Sequence, residues 1–220
     1  MCKQLFTREA YNLLEGILWE KRMSSVRIEP TPLSGSLKVR LVEVTATLLE
    51  RDLEKKLPTM REIAVSAGVS PGAAYRHFSS QGELFLNVVE HVFGLLESAL
   101  TAALDLSQGV EVGLRRIAHA YVQWGLEHPG GYQLLFEATD DAKLLAAGQR
   151  PGLHLIDQIG DYWESEISGT VDGRFLAVHL WASLHGIVSL RTHKIGMTWP
   201  MTVSDEVDAL LDLLLSNATP

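Results

Sequence analysis

From residue 36 to about residue 53 the apolar positions Leu37, Leu41, Val44 and Leu48 recur at spacings of four and three. That pattern marks one face of a helix. Pro58 separates this helix from the next. After Ser80 the set Leu84, Val88, Val92, Leu95, Leu96 and Leu100 predicts a long helix to about residue 106. Further helical patterns cover about 110–128, 129–136 and 151–167, with Pro129 and Pro151 at two starts. Asp172 is read as the cap of a strongly apolar helix to about residue 194, and Ser204 as the cap of a last one to residue 215. A weaker amphipathic pattern at 7–22 precedes a break at Pro30, Pro32 and Gly35. Period-two alternation is scarce, so the chain is expected to be all-α.

Residues 59–81, TMREIAVSAGVSPGAAYRHFSSQ, carry their own start, turn and stop signals. Thr59 and Glu62 form a capping box. Gly68 can take the left-handed conformation that ends a helix, and Val69 can plug the turn into the core. Ser70 caps a second helix with Pro71 at its first position. Ser80, with Glu83, caps a third. Two short helices joined by a glycine-containing turn make a helix-turn-helix.

These residues also resemble the DNA-binding segment of the TetR family of transcriptional repressors. Arg61-Glu62-Ile63-Ala64, Ala67-Gly68-Val69-Ser70, Tyr75-Arg76-His77-Phe78 and Glu83-Leu84 fall in that family's order and spacing. Gln81 stands where the family usually has a lysine that grips a DNA phosphate. Ala73 and Ala74 stand where it often has Thr or Ser and a larger aliphatic. Residues 120–136 and 181–190 resemble the ligand-binding half of a subgroup with Trp-x-x-x-His-Gly, here Trp181, His185 and Gly186. The resemblance covers about 37–215. It implies a three-helix head at 34–80, a long helix, and a ligand-binding and dimerisation body at 81–220, with an extension at 1–33 outside it. It implies a DNA-binding regulator, a repressor released from its operator by a small molecule that biases the long helix near residues 88–100. No enzyme activity, cofactor or metal is implied.

Charge supports that division. Residues 22–81 hold nine Lys/Arg against six Asp/Glu, while residues 82–220 hold seven against eighteen. A basic front on an acidic back fits a DNA-reading head on a body that stays off DNA. Hydrophobic residues make up 46% of the 220, enough for a large core. Cys2 is the single cysteine, which excludes an intrachain disulfide and a cysteine-cluster metal site. No bilayer-spanning stretch and no signal peptide is expected, and a cytoplasmic, membrane-free protein is the simplest reading.

The second helix of the motif enters the major groove. Pro71, Gly72 and Ala73 offer only apolar contacts to bases. Arg76 either pairs with guanine or holds a phosphate. Tyr75, His77 and Thr59 match phosphate-contacting positions, and Ser70 and Gln81 complete the expected DNA face. A dimer would bind two half-sites, and the excess apolar surface of the last two helices (Leu176, Leu180, Leu184, Ile187, Leu210, Leu214) is expected to form its interface. Tyr121, Trp124, Leu135, Phe136, Leu155, Ile159, Trp163, Trp181 and His185 are candidate walls of an effector pocket. Gly68-Val69-Ser70-Pro71-Gly72 matches a hydrolase nucleophile elbow, but that motif needs a preceding strand and the residues before it are helix-like. No histidine spacing matches a metal motif.

Overall fold

The computed structural model describes residues 36–50, 57–104, 107, 109–136, 159–161 and 172–216. All regular structure among them is helical. The numbered helices are α1 (Leu37–Glu50), α2 (Met60–Ser66), α3 (Pro71–Tyr75), α4 (Gln81–Ala103), α5 (Val110–Glu127), α6 (Pro129–Phe136), α7 (Gly173–His193) and α8 (Val203–Ser216). The patterns at 7–22 and 151–167 lie outside the described residues, apart from a helical piece at 159–161.

One hydrophobic core runs from Leu41 through Ile63, Phe78, Val88 and Tyr121 to Leu180 and Leu211. Helix α4 is its axis, packed against α1, α5 and α6. α7 and α8 pack against each other and both against α5. The described residues of the expected head and body, from Leu37 on, fall in one compact unit.

The capping rules act where the sequence places them. The Thr59 amide donates to Glu62 Oε2 at 2.7 Å, and the Glu62 amide donates to Thr59 Oγ1 at 3.3 Å. Gly68 has φ of +68°. Its amide donates to the Val65 carbonyl, and the Val69 amide to the Ala64 carbonyl. Those two bonds make a Schellman ending for α2. The Ser70 hydroxyl accepts from the Ala73 amide at 3.2 Å, with Pro71 opening α3.

Four expectations shift. The buried face of α1 is Leu41, Val42 and Thr45, one position round from the predicted stripe. Thr45 is fully buried because its hydroxyl donates to the Leu41 carbonyl at 2.7 Å, which removes the cost of hiding a polar group. Glu83 does not reach back to Ser80. Its carboxylate accepts from the Ser79 amide and hydroxyl, and those bonds hold its carboxyl below the usual range. The cap of α8 is Thr202, whose hydroxyl accepts from the Asp205 amide at 3.2 Å; Ser204 lies inside the helix. Finally, α4 is long and apolar enough to cross a membrane by length and composition, contrary to expectation. Its apolar residues Leu84, Phe85, Val88, Val89, Val92, Phe93, Leu96 and Leu100 are buried in the protein's own core.

The Gly68 turn yields a test. A Cβ there meets nothing within 4 Å, so Gly68→Ala costs only backbone strain, about 1–2 kcal/mol. Thermal unfolding should show a Tm lowered by a few degrees, with helix content unchanged.

Candidate nucleic-acid interface and effector site

Helix α2 is held at its start by Thr59 and at its end by Gly68, so the direction in which α3 leaves is fixed. Ala74 and Phe78 are fully buried. They seat α3 on the core and turn its other side outward. Pro71, Gly72, Tyr75, Arg76 and His77 are all exposed there, as are Thr59 and Ser70. Tyr75 keeps half its surface in solvent. Ala73, expected on the same face, is buried at 8% exposure. Gln81 is half-buried, and its side-chain amide donates to the Pro58 carbonyl at 2.9 Å. That bond ties the start of α4 to the start of α2. Lys38 sits 5.3 Å from the centre of the Phe78 ring, and Arg61 is exposed on α2. The face can offer hydrogen-bond donors and cations to a phosphate backbone and apolar groups to base edges.

Ser70 is a helix cap, and the segment before it is a helix. The strand that a nucleophile elbow needs is absent at that place. Among the described residues no group of three or more His, Cys, Asp or Glu side chains could hold a metal.

In the body the structure gathers Tyr121, Phe136, Trp181 and His185 and adds Tyr132. The Tyr121 and Tyr132 hydroxyls lie 3.1 Å apart, and the Tyr132 hydroxyl also meets His185 Nδ1. Tyr132 stacks on His185 with ring centres 5.4 Å apart, and Phe136 contacts both rings. Burial pushes the Tyr121 hydroxyl far above its ordinary pKa, against a smaller pull from Tyr132 and the neighbouring Trp181 indole. The Trp181 indole N–H is buried beside the Tyr121 hydroxyl, the acceptor on which it acts, without the geometry of a full hydrogen bond among the described residues. Trp124 stands apart, tilted against His128. Leu135 and Ile159 are core, and Leu155 and Trp163 lie outside the described residues. Tyr132 is missing from the walls expected from sequence, although its spacing of four from Phe136 puts both on one helix face.

The expected dimer residues on α7 are displaced as well. Leu176, Leu180, Leu184 and Ile187 are all buried inside the protomer. α7 packs there on α5 and α8, which closes that side to a partner. The solvent side of α7 carries Phe175, His179, Ala182 and Leu190 instead. Leu210 and Leu214 of α8 are half-buried, and Leu213 is exposed at 61%.

Known proteins share both halves of this arrangement. Residues 58–88 match the family model described as bacterial regulatory proteins, tetR family. Residues 114–217 match the tetracyclin repressor-like C-terminal domain. The nucleoid occlusion factor SlmA of Haemophilus ducreyi is 27% identical over 122 residues, which cover 53% of this chain. The chain spans 60% of that relative's length. A transcriptional regulator from Rhodococcus sp. Rha1 superposes with a TM-score of 0.69 at 18% identity, over 84% of this chain and all of that one. The fatty acid degradation regulator FadR of Bacillus halodurans gives 0.65 at 13% identity, over 82% and 95%. Likeness at these identities speaks for the fold alone. With the head and the body each matched by a model of one family, the chain belongs to the tetR family of bacterial regulatory proteins.

Proposed function

We propose that the protein is a dimeric, DNA-binding transcriptional regulator that represses its target and is released from the operator by a small molecule. The observation that carries this reading is the exposed side of α3, held outward by a capped and Schellman-terminated α2. The head corresponds to 34–80 and the body to 81–220, and the setting is the cytoplasm. The Trp181, His185 and Gly186 pattern supports the Trp-x-x-x-His-Gly subgroup.

The reading face is small. Ala73 is little exposed, so Pro71 and Gly72 supply most of the apolar contact, Arg76 supplies the charged one, and Tyr75 and His77 meet phosphates. A single head then binds weakly, and affinity rests on two heads reading half-sites about 34–36 Å apart per helical turn. The contact face of the dimer is the outer side of α7 with Leu213 of α8. Gly186 leaves open space where a Cβ would stand, which lets a partner helix approach. The effector enters the ring cluster of Tyr121, Tyr132, Phe136, Trp181 and His185. Its chemistry is a flat or apolar body with a hydrogen-bond acceptor for the Trp181 N–H. It acts by binding one head arrangement better than the other, through the adjoining α4 near residues 88–100.

A second reading is favoured by the similarity to a nucleoid occlusion factor: a DNA-bound protein acting on chromosome or division rather than on one promoter. Mapping the bound sites in cells separates the two. Few sites, next to promoters, support the regulator, and many dispersed sites support the alternative.

Three outcomes are expected. Selection of bound duplexes from a random pool should return one two-fold symmetric site. On that site Arg76→Ala should lose about 1–3 kcal/mol, roughly 5–150-fold in affinity; unchanged affinity removes Arg76 from the interface. Phe175→Glu should shift the protein from dimer to monomer in sedimentation, whereas a dimer that persists places the interface elsewhere. Trp181→Phe deletes the donor and keeps a smaller aromatic ring. It should lower thermal stability modestly, by the volume lost beside Phe136 and His185. It should also abolish DNA release by carboxylate or carbonyl compounds that act on the unaltered protein.

A further inference from the structure

Glu50 ends α1, the first helix of the head. Its Oε2 accepts from the Gly130 amide at 3.0 Å and its Oε1 from the Gly131 amide at 2.9 Å. His128 Nδ1 stands 3.8 Å from the same carboxylate. Gly130 and Gly131 lie in the first turn of α6, where backbone amides have no partner within their own helix. A side chain normally satisfies them from the residue just before the helix. Here a carboxylate from 80 positions earlier in the chain does so, with two charge-assisted bonds at the positive end of the helix.

The backbones at this joint touch. A Cβ on Gly130 would lie 2.2 Å from the Leu49 carbonyl oxygen and 2.8 Å from the Glu50 Cα. Only a bare glycine allows α1 so close. The two-pronged carboxylate and the missing side chain are independent features that serve one contact. At the other end of the same eight-residue helix, Tyr132 and Phe136 form part of the ring cluster. The short α6 therefore grips the head at its start and faces the candidate effector site along its length. Glu43 of α1 also raises the pKa of His91 on α4, against the larger lowering by burial. A second acidic group of α1 thus faces the linking helix.

The geometry points to Glu50 as a positioning residue: it locks the angle between head and body, and so sets the half-site spacing that the dimer accepts. α6 is the element through which occupation of the ring cluster reaches the head. This rests on the DNA-binding reading above. A contact that only stabilised the fold would lower Tm and weaken binding to every spacing alike. A contact that fixes the head's angle controls the discrimination between spacings.

The experiment uses full-length protein and a set of duplexes. They carry the two half-sites recovered by selection, separated by the native spacer or by one or two base pairs more or fewer. The unaltered protein should prefer one spacer by about tenfold or more, because a mismatched spacing must be met by distorting protein or DNA. In Glu50→Ala and Gly130→Ala that preference should fall to within about threefold, while affinity for a single half-site changes less than about twofold, as expected for separated sites. Glu50→Gln keeps one acceptor and should fall between. Amide hydrogen exchange at Gly130 and Gly131 should accelerate in Glu50→Ala while the core amides of α4 stay protected, which shows the joint open in a folded protein. Spacing preference that survives in a variant with accelerated exchange overturns the proposal, and so does an unaltered protein that accepts every spacer equally. Absence of any DNA binding by the unaltered protein instead overturns the DNA-binding reading, a failure seen before any variant is made.

Discussion

Eight side chains between Leu84 and Leu100 are buried along α4, a helix of 23 residues. That helix packs against α1 of the head and against α5 and α6 of the body. Each fully buried aliphatic or aromatic side chain is worth about 1.5–3 kcal/mol. The stripe therefore supplies much of the attachment between the part that presents α3 and the part that carries the ring cluster. Because one rigid helix runs through both, a displacement in the body can hardly leave the head unmoved. The Glu50 joint adds a second point of attachment. A body fixed to a head at two points transmits rotation as well as translation.

Short-range rules made residues 59–81 legible. A capping box, a glycine with positive φ and a Ser-Pro start each depend on residues within five positions. The same rules went wrong where two candidates competed. Thr202 took the cap expected of Ser204, and Ser79 took the carboxylate expected at Ser80. Periodicity located the helices and the inner side of α4, where Leu84, Val88, Val92, Leu96 and Leu100 are buried, but it missed polar and shared positions elsewhere. In α1 the buried hydroxyl of Thr45 is satisfied by its own backbone, so a polar residue sits in the core stripe. α7 is apolar on both sides, and nothing in the sequence alone separates Leu180, fully inside, from Phe175, mostly outside. Glu50 was not legible at all. Its partners are backbone amides 80 positions away, and a backbone amide leaves no mark in a sequence.

The two sites differ in what their chemistry asks of a ligand. The α3 face is exposed, cationic at Arg76 and sparing in polar groups; as the proposed DNA face it would place weight on phosphate contacts, DNA shape and dimer spacing. The ring cluster is part-buried, and its hydroxyls and His185 already engage one another. The Trp181 N–H is its buried donor, set beside the Tyr121 hydroxyl. The effector proposed for it is an apolar body with one acceptor. Between them, α6 and α4 supply the shared framework.

Sequence-specific recognition of duplex DNA by the α3 face is the claim on which both sites depend. The most direct measurement is the ratio of affinities for the selected site and for a scrambled duplex of equal length and composition, at one physiological salt concentration. The expected ratio is about 10³ or more. A ratio near one, with both affinities falling alike as salt rises, would show a protein held by charge alone and would contradict that claim.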